Sequence, residues 1–510
     1  MGAVPSLKAD RTTAAAIRAL LAGLGLAAAL CGGPAAAQVR APIGGQTPFA
    51  PAPNPATVQL RPEQYDVLKQ ALAQADAHGF DAGEFSADGL DALLNSPEAT
   101  VRQVGEGQLV SRVLLYAKAV HSGRLQYGQF LEDWGLRPAA YDPTADFARA
   151  AAQDQLRSWL DSLPPPYTGY DGLMQGLQVY REIAMKGGWR PISDGPPLKP
   201  GANDPRVMEL RARLAAEDPM VQPSDSPVYD DALVQAVMRA QKRYGLKDDG
   251  VVAGETLKAL DVLVEDRIGQ IIANMERWRW LPTVLPTDRI QVNVAAAILT
   301  VFHADTPVMS MRAVTGRPGD ETPMLTSRIE SIVLNPPWNV PSTIAARELW
   351  PKEKAHPGYL LAHDFVVIPT DDGGQRLQQR AGPQSALGKV KFDFANPYGV
   401  YLHDTPSHGL FTGFDRLASH GCVRLQRPID LAKLVMQGDA TWTPEAIDAA
   451  LAGGKTLRAP LPQAISVYLL YWTAYMGPDG MMNFRDDPYG WDAALMAKLK
   501  GVKLVDQTSD

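Results

Sequence analysis

Up to about residue 195 the apolar positions fall at helical spacing. In "PEQYDVLKQALAQADAHGF" (62–80) Tyr65, Leu68, Ala71 and Leu72 form one stripe, and "GQLVSRVLLYAKAV" (107–120) repeats the i, i+3, i+4 pattern. Turn formers such as "LPPPYTGY" (163–170) punctuate the run, so residues 57–195 are predicted to be an α-helical region. Its charges read as solvated faces, and it holds no chemical constellation. A smaller helical unit spans 203–262, where Leu233, Ala236, Val237, Ala240 and Tyr244 mark one buried face. Gly245 stops that helix and Gly254–Glu255–Thr256 starts another.

After "ANMERWRWLP" (273–282) the period changes to that of strands. "RIQVNVAAAILTVF" (289–302), "MSMRAVTG" (309–316) and "SRIESIVLNPPW" (327–338) are β-rich, and "VKFDFANPYGVYLHDTP" (390–406) resumes the pattern. Residues 342–388 are Pro/Gly-rich and read as an irregular insertion into a domain at 288–460. A helix-and-strand extension, 461–500, is expected to pack on that domain. The fold class is therefore multidomain α+β: a helical region, a small three-helix unit and a β-rich domain of mixed type.

The N-terminal end of the pattern differs from the rest. Lys8, Arg11 and Arg18 precede the apolar run "ALLAGLGLAAALCGGPAAAQ", which ends in small residues at Ala35–Ala37. This is the form of a secretory signal over residues 1–37, cut before Gln38, and it predicts an exported, periplasmic protein. An uncleaved N-terminal membrane anchor is the alternative; a lipid-modified Cys31 fits less well, because bulky Leu30 precedes it. Residues 38–56, with five prolines and two glycines, are a linker. No later stretch approaches the roughly 18 consecutive apolar residues of a membrane span.

Charge adds one exclusion. The signal carries three basic residues against Asp10, so its removal takes the formal charge from −7 to −9. A mild acidic excess argues against nucleic acid, which calls for a clustered basic face. The 45% hydrophobic content is ample for several cores.

Cysteine usage carries the chemistry. Of two cysteines, Cys31 falls in the signal, which leaves Cys422 alone in "YLHDTPSHGLFTGFDRLASHGCVRL" (401–425) with His403, His408 and His420 around it. Count excludes an intramolecular disulfide, so the thiol is inert, dimer-forming or a nucleophile. Polar neighbours are poor company for an inert buried thiol. A cysteine attacks carbonyls as thiolate, and an unperturbed thiol near pKa 8.5 is only a few per cent ionised at neutral pH, so it needs a base or cation in contact. His403 lies nineteen residues upstream at the end of the apolar strand "GVYLH", placed to face the thiol across two adjacent strands. Gly421 allows a tight backbone immediately before the nucleophile.

Two resemblances sharpen this. Residues 203–262, with a helix, a "GLKDDGVV" turn and a "TLKAL" helix, resemble the peptidoglycan-binding type 1 module; a plain structural three-helix unit is the alternative. Histidine, a gap and then Ser-His-Gly-Cys resembles the signature of the L,D-transpeptidases of YkuD type. "ERWRWLP", "NPPWNVPSTIA", "GPQSALGKVKFDFANPYGVYLHDTP", "SHGCVRL" and "LLYWTAYMGPDGMMNFRDDPYG" are similar to the large periplasmic YcbB-like branch. The general signature often has Gly after the first histidine and Asn two past the cysteine; here these are Asp404 and Arg424, spellings shared by the YcbB-like branch.

The resemblance implies roles residue by residue. Cys422 is the nucleophile and His403 the general base. Ser419, His420 and Gly421 complete the motif, with the Gly421 and Cys422 N–H groups as oxyanion donors. Tyr401, Trp338 and Arg424 line the substrate groove, and His408 is a solvated loop residue. The implied reaction attacks the carbonyl of the diamino acid at position three of a peptidoglycan tetrapeptide stem and expels D-alanine. An amine of another stem then resolves the thioester as a 3→3 cross-link, with water or a D-amino acid competing. Peptidoglycan stems and glycan strands are the implied partners, no cofactor is required, and oligomeric state is not readable. Two rivals use the same residues. One is a zinc-dependent peptidoglycan hydrolase ligated by His403, His408, His420 and Cys422, although His403 and His408 do not share a helix face. The other is a catalytically silent peptidoglycan-binding scaffold.

Overall fold

A computed structural model describes residues 60–81 and 83–501; the signal and linker expected at 1–37 and 38–56 lie outside them. The molecule is a multidomain α+β protein. Helices Pro62–Ala73, Ala99–Ser122, Thr144–Ala152 and Leu156–Ser162 enclose one core, built on Leu68, Leu109, Val113, Phe147 and Leu156. Pro62 opens the first of these where a missing N–H leaves no hydrogen bond unmade. The helix Thr168–Met185 turns away and joins a second, larger core through Tyr170, Leu173 and Leu177.

That larger core also takes in the three-helix unit. Its helices are Arg206–Ala215, Asp231–Arg243 and Gly254–Asp261. Asp230 caps the second, accepting from the Leu233 N–H at 2.8 Å. Buried Glu217 accepts from Arg213 at 2.7 Å, Tyr244 at 2.6 Å and Tyr180 at 2.5 Å, and Tyr180 belongs to Thr168–Met185. The unit is thereby fastened to its neighbour through a satisfied buried charge, since an unpaired one would be costly to bury.

The helix Val264–Trp278 is the hub. Trp278 stacks on Trp472 with ring centroids 4.5 Å apart, and Arg277 pairs with Asp492 at 2.5 Å. Glu276 accepts from the Arg124 N–H at 2.6 Å and from Arg279 at 2.8 Å, while the Arg279 guanidinium lies over the ring of Phe80 in the first core. The "ERWRWLP" stretch therefore joins parts of the molecule instead of doing chemistry.

The β-rich domain is one nine-stranded mixed sheet. Its strands are β1 (Asp288–Asn293), β2 (Ile298–His303), β3 (Thr306–Gly316), β4 (Leu325–Leu334), β8 (Val390–Phe394), β9 (Leu402–His403), β10 (Leu417–Ser419), β11 (Val423–Leu425) and β12 (Leu457–Leu470). Their order is β10-β3-β11-β9-β8-β4-β12-β1-β2, and a further β2–β3 pairing closes the neighbours into a ring. β12 lies between β4 and β1, so residues 461–470, read from sequence as part of an outer extension, belong to the sheet itself. A hairpin, Ala474–Met476 with Met482–Phe484, and the helix Trp491–Gly501 follow.

Residues 342–388 depart from the sequence reading. They are not irregular: β5 (Trp338–Asn339), β6 (Phe365–Pro369) and β7 (Gln375–Gln379) pair as a three-stranded sheet, with helical turns between residues 342 and 362. Val340, Leu349, Leu360, Phe365 and Leu377 give this cap a core of its own. Short elements with few apolar residues leave a weak periodic signal, which is why the pattern reads as loop.

Candidate active site

Strand register builds the site. β11 runs parallel to β9 with Val423 opposite Leu402 and Arg424 opposite His403; β9 runs antiparallel to β8 with Lys391 opposite His403. Side chains alternate faces along a strand, and registered neighbours share a face. Val423 and Leu402 are fully buried on the inner face. Cys422, Arg424, Tyr401, His403 and Lys391 consequently share the other. Sequence spacing predicted that His403 faces the thiol across two adjacent strands; His403 ends β9, and Cys422 immediately precedes β11, the strand paired with it.

The loop before Cys422 is held from several sides. Gly421 has φ +99°, and a Cβ there would come within 3.1 Å of the Glu321 carbonyl oxygen, so only glycine fits without strain. The Thr322 hydroxyl donates to the Gly421 carbonyl at 2.7 Å and accepts from the Gly316 N–H at 2.9 Å. Ser419 Oγ donates to the Cys422 carbonyl at 2.5 Å and accepts from the Gly421 N–H at 3.2 Å. That last bond modifies the expected oxyanion pair. The Gly421 N–H is engaged within its own loop, whereas the Cys422 N–H has no hydrogen-bond partner among the described residues.

The electrostatics set the resting protonation state. Burial pushes the Cys422 thiol up, against the Tyr401 N–H and O–H that point at the sulfur and the positive charges of Lys391 and Arg424. Burial, together with Arg424 and Lys391, drives the His403 imidazole down to about 3, despite its hydrogen bond to the Asp404 carbonyl. The pair therefore rests as neutral thiol and neutral imidazole. A carbonyl only accepts, so the 2.5 Å contact of His403 Nδ1 with the Asp404 oxygen puts the proton on Nδ1 and leaves Nε2 as the basic nitrogen. Asp404 itself is structural: its carboxylate accepts from the Lys389 and Thr405 N–H groups at 2.7 Å each.

The cap meets the site at two points. The Trp338 indole donates to the Tyr401 hydroxyl, which donates in turn toward Cys422. Glu348 accepts from His420 Nε2 at 2.6 Å, and contacts Arg317 at 3.3 Å. Asp320, two residues from Thr322, binds Arg317 and Arg347 at 2.8 Å each. His408 is exposed in the turn His408–Phe411, away from these contacts. Thr322, Glu348, Tyr489 (whose hydroxyl donates to the Gly316 carbonyl at 2.6 Å) and Lys391 were not legible from sequence. Only Lys391, a polar residue at an alternate position of an apolar strand, left any signal. Among the described residues no group of three or more His, Cys, Asp and Glu side chains is placed to hold a metal ion, so the zinc alternative has no donor set there.

A thiol, a neutral imidazole with a free Nε2 and flanking cations on one sheet face are the groups of a cysteine acyl-transfer site. Comparison with known proteins agrees with that class. Residues 287–444 match the "L,D-transpeptidase catalytic domain" family, residues 203–260 the "Putative peptidoglycan binding domain" family, and residues 58–177 a family described as "Scaffold domain". Two segments of the chain thus match the L,D-transpeptidase catalytic-domain and peptidoglycan-binding families. A "Putative L,D-transpeptidase" of Haemophilus influenzae is 31% identical over 261 residues, covering 47% of this chain and 52% of that protein. The match thus spans about half the length of that relative. Among solved structures, an L,D-transpeptidase from Stackebrandtia nassauensis aligns over 55% of this chain and 96% of its own (13% identity, TM-score 0.23). One from Mycobacterium smegmatis aligns over 36% and 58% (14% identity, TM-score 0.19).

Proposed function

We propose that this protein is a cysteine L,D-transpeptidase of the cell envelope that forms 3→3 cross-links in peptidoglycan. The observation that carries the reading is the β9–β11 register, which puts Cys422 beside Tyr401 and Arg424 beside His403 on one face. Cys422 attacks the carbonyl of the diamino acid at position three of a tetrapeptide stem, and His403 Nε2 takes the thiol proton as the S–C bond forms. The Cys422 N–H serves the developing oxyanion. The tetrahedral intermediate collapses with cleavage of the C–N bond to D-alanine, and the proton on His403 passes to the leaving amine. An amine of a second stem then attacks the thioester and regenerates the thiol. With both groups neutral at rest, proton removal accompanies attack instead of preceding it as a standing ion pair. The peptidoglycan-binding module supports a glycan-bound substrate, and the N-terminal signal an exported protein.

The test is mass spectrometry of purified disaccharide-tetrapeptide incubated with the protein. A cross-linked product, with loss of D-alanine, is expected from wild type and none from Cys422→Ser. Pentapeptide stems should be poor donors, and a carbapenem should leave its adduct on Cys422. Equal turnover of both stems, or an adduct elsewhere, overturns the reading.

A further inference from the structure

Arg424 is the cation on the catalytic face that lacks a partner. Lys391 is bound to Asp393 at 2.6 Å, and Asp393 also holds Arg458 at 2.7 Å. No hydrogen bond or carboxylate partner engages the Arg424 guanidinium among the described residues, and its Nε is buried without a partner. Arg424 is half-buried, one residue past Val423 and registered directly opposite His403. A desolvated guanidinium with no counter-ion is costly, and its planar fork matches a carboxylate.

Position says which carboxylate. We infer that Arg424 binds the C-terminal carboxylate of the stem's departing D-alanine and so selects tetrapeptide donors. This rests on the transpeptidase reading above. The leaving nitrogen must approach His403, which protonates it; in D-alanine the carboxylate carbon is two bonds from that nitrogen. A group bound at His403 thus delivers its carboxylate to the residue beside His403, which is Arg424. In a pentapeptide the same place holds a neutral amide, and the carboxylate is displaced by about 3.5 Å, the rise of one extended residue. The selectivity then arises from an anion bound next to the scissile bond, not from a wall that blocks a longer chain. In the reaction the thiol's proton goes through His403 to the D-alanine nitrogen, the S–C bond replaces the C–N bond, and D-alanine departs with its carboxylate intact.

The experiment compares two synthetic stems, one ending in D-alanine and one in D-alaninamide, by the rate of thioester formation on Cys422 in the full-length protein. Wild type should prefer the carboxylate by about ten- to a hundredfold, the range of a hydrogen bond to a charged group. Arg424→Gln should bring the ratio of the two rates near one, and Arg424→Lys should keep part of it. Because the readout is a ratio within each protein, a general fall in thiol reactivity or in folded fraction does not mimic it. A wild-type ratio near one, or one unchanged in Arg424→Gln, overturns the inference while leaving the transpeptidase reading intact. Failure of both stems and of a carbapenem to acylate wild-type Cys422 would instead overturn that reading.

Discussion

His403 shows how one residue serves two masters. Its burial leaves Nε2 unprotonated across the neutral range, with a lone pair open to a proton, at the cost of carrying an imidazole that the unfolded chain would protonate. The folded value lies at about 3 and the ordinary value at 6.5. Between these, the unfolded state binds a proton that the folded state does not, so stability is full above pH 6.5 and falls as pH drops toward 3. The slope from this one group approaches about 1.4 kcal/mol per pH unit. Urea unfolding at about pH 7, 5.5 and 4.5 should show wild type losing stability faster than His403→Gln over that window. Parallel loss in both proteins would mean that His403 is not held neutral. Gly421 and Thr322 illustrate the other side of residue-scale design: neither reacts, yet each fixes the backbone that carries the thiol.

At the scale of elements, the cap is more than a lid of loops. It has its own small sheet and core, and it reaches the site through Trp338 on Tyr401 and Glu348 on His420. Burial would raise the Glu348 carboxyl, but His420 and Arg317 hold it below the ordinary carboxylate range. The bonded carboxylate fixes His420 Nε2 as a donor and ties the cap to the loop of Cys422. Glu348→Ala should slow carbapenem acylation of Cys422 by about three- to thirtyfold, a charge-assisted hydrogen bond discounted for partial exposure. Glu348→Gln, which can still accept from Nε2, should recover part of the loss, while the thermal midpoint of either variant moves little. Equal acylation by Ala, Gln and wild type would leave the cap uncoupled from the motif. The apolar stripe of Tyr65, Leu68, Ala71 and Leu72 became a buried helix face as read, since a 3.6-residue period has one outcome in a packed helix. The cap did not declare itself, because strands of two and five residues are too short for a period to emerge.

For the whole molecule, the peptidoglycan-binding module is fastened into the fold. Although burial opposes ionisation, Arg213, Tyr180 and Tyr244 hold the Glu217 carboxyl at about 2. Tyr244 also lies against Phe484 of the hairpin that follows the sheet, and the Arg485 guanidinium donates to the Arg243 carbonyl at 2.8 Å. Leu210, Leu233, Val237 and Leu260 of the module belong to the same core as the sheet, so its loss should disturb the fold that carries Cys422. Glu217→Ala leaves Arg213 buried without its counter-charge and should cost about 3–5 kcal/mol in denaturant unfolding. Removal of residues 203–262 should lower the thermal midpoint and acylation together. A deletion variant that melts and acylates as wild type would show the module to be an independent attachment.

The helical and strand periods, the lone thiol and the His–Ser-His-Gly-Cys spelling were all decided by the sequence itself, because periodicity and residue chemistry are local properties. The β9–β11 register, the neutral state of the Cys422–His403 pair, the engagement of the Gly421 N–H by Ser419 and the Glu348–His420 contact across 72 residues were decided by tertiary structure. The physical reason is that burial and pairing depend on what the rest of the chain brings alongside. Arg424 belongs to both: its identity is written in the motif, but that it stands opposite His403 without a counter-ion among the described residues follows only from the folded sheet.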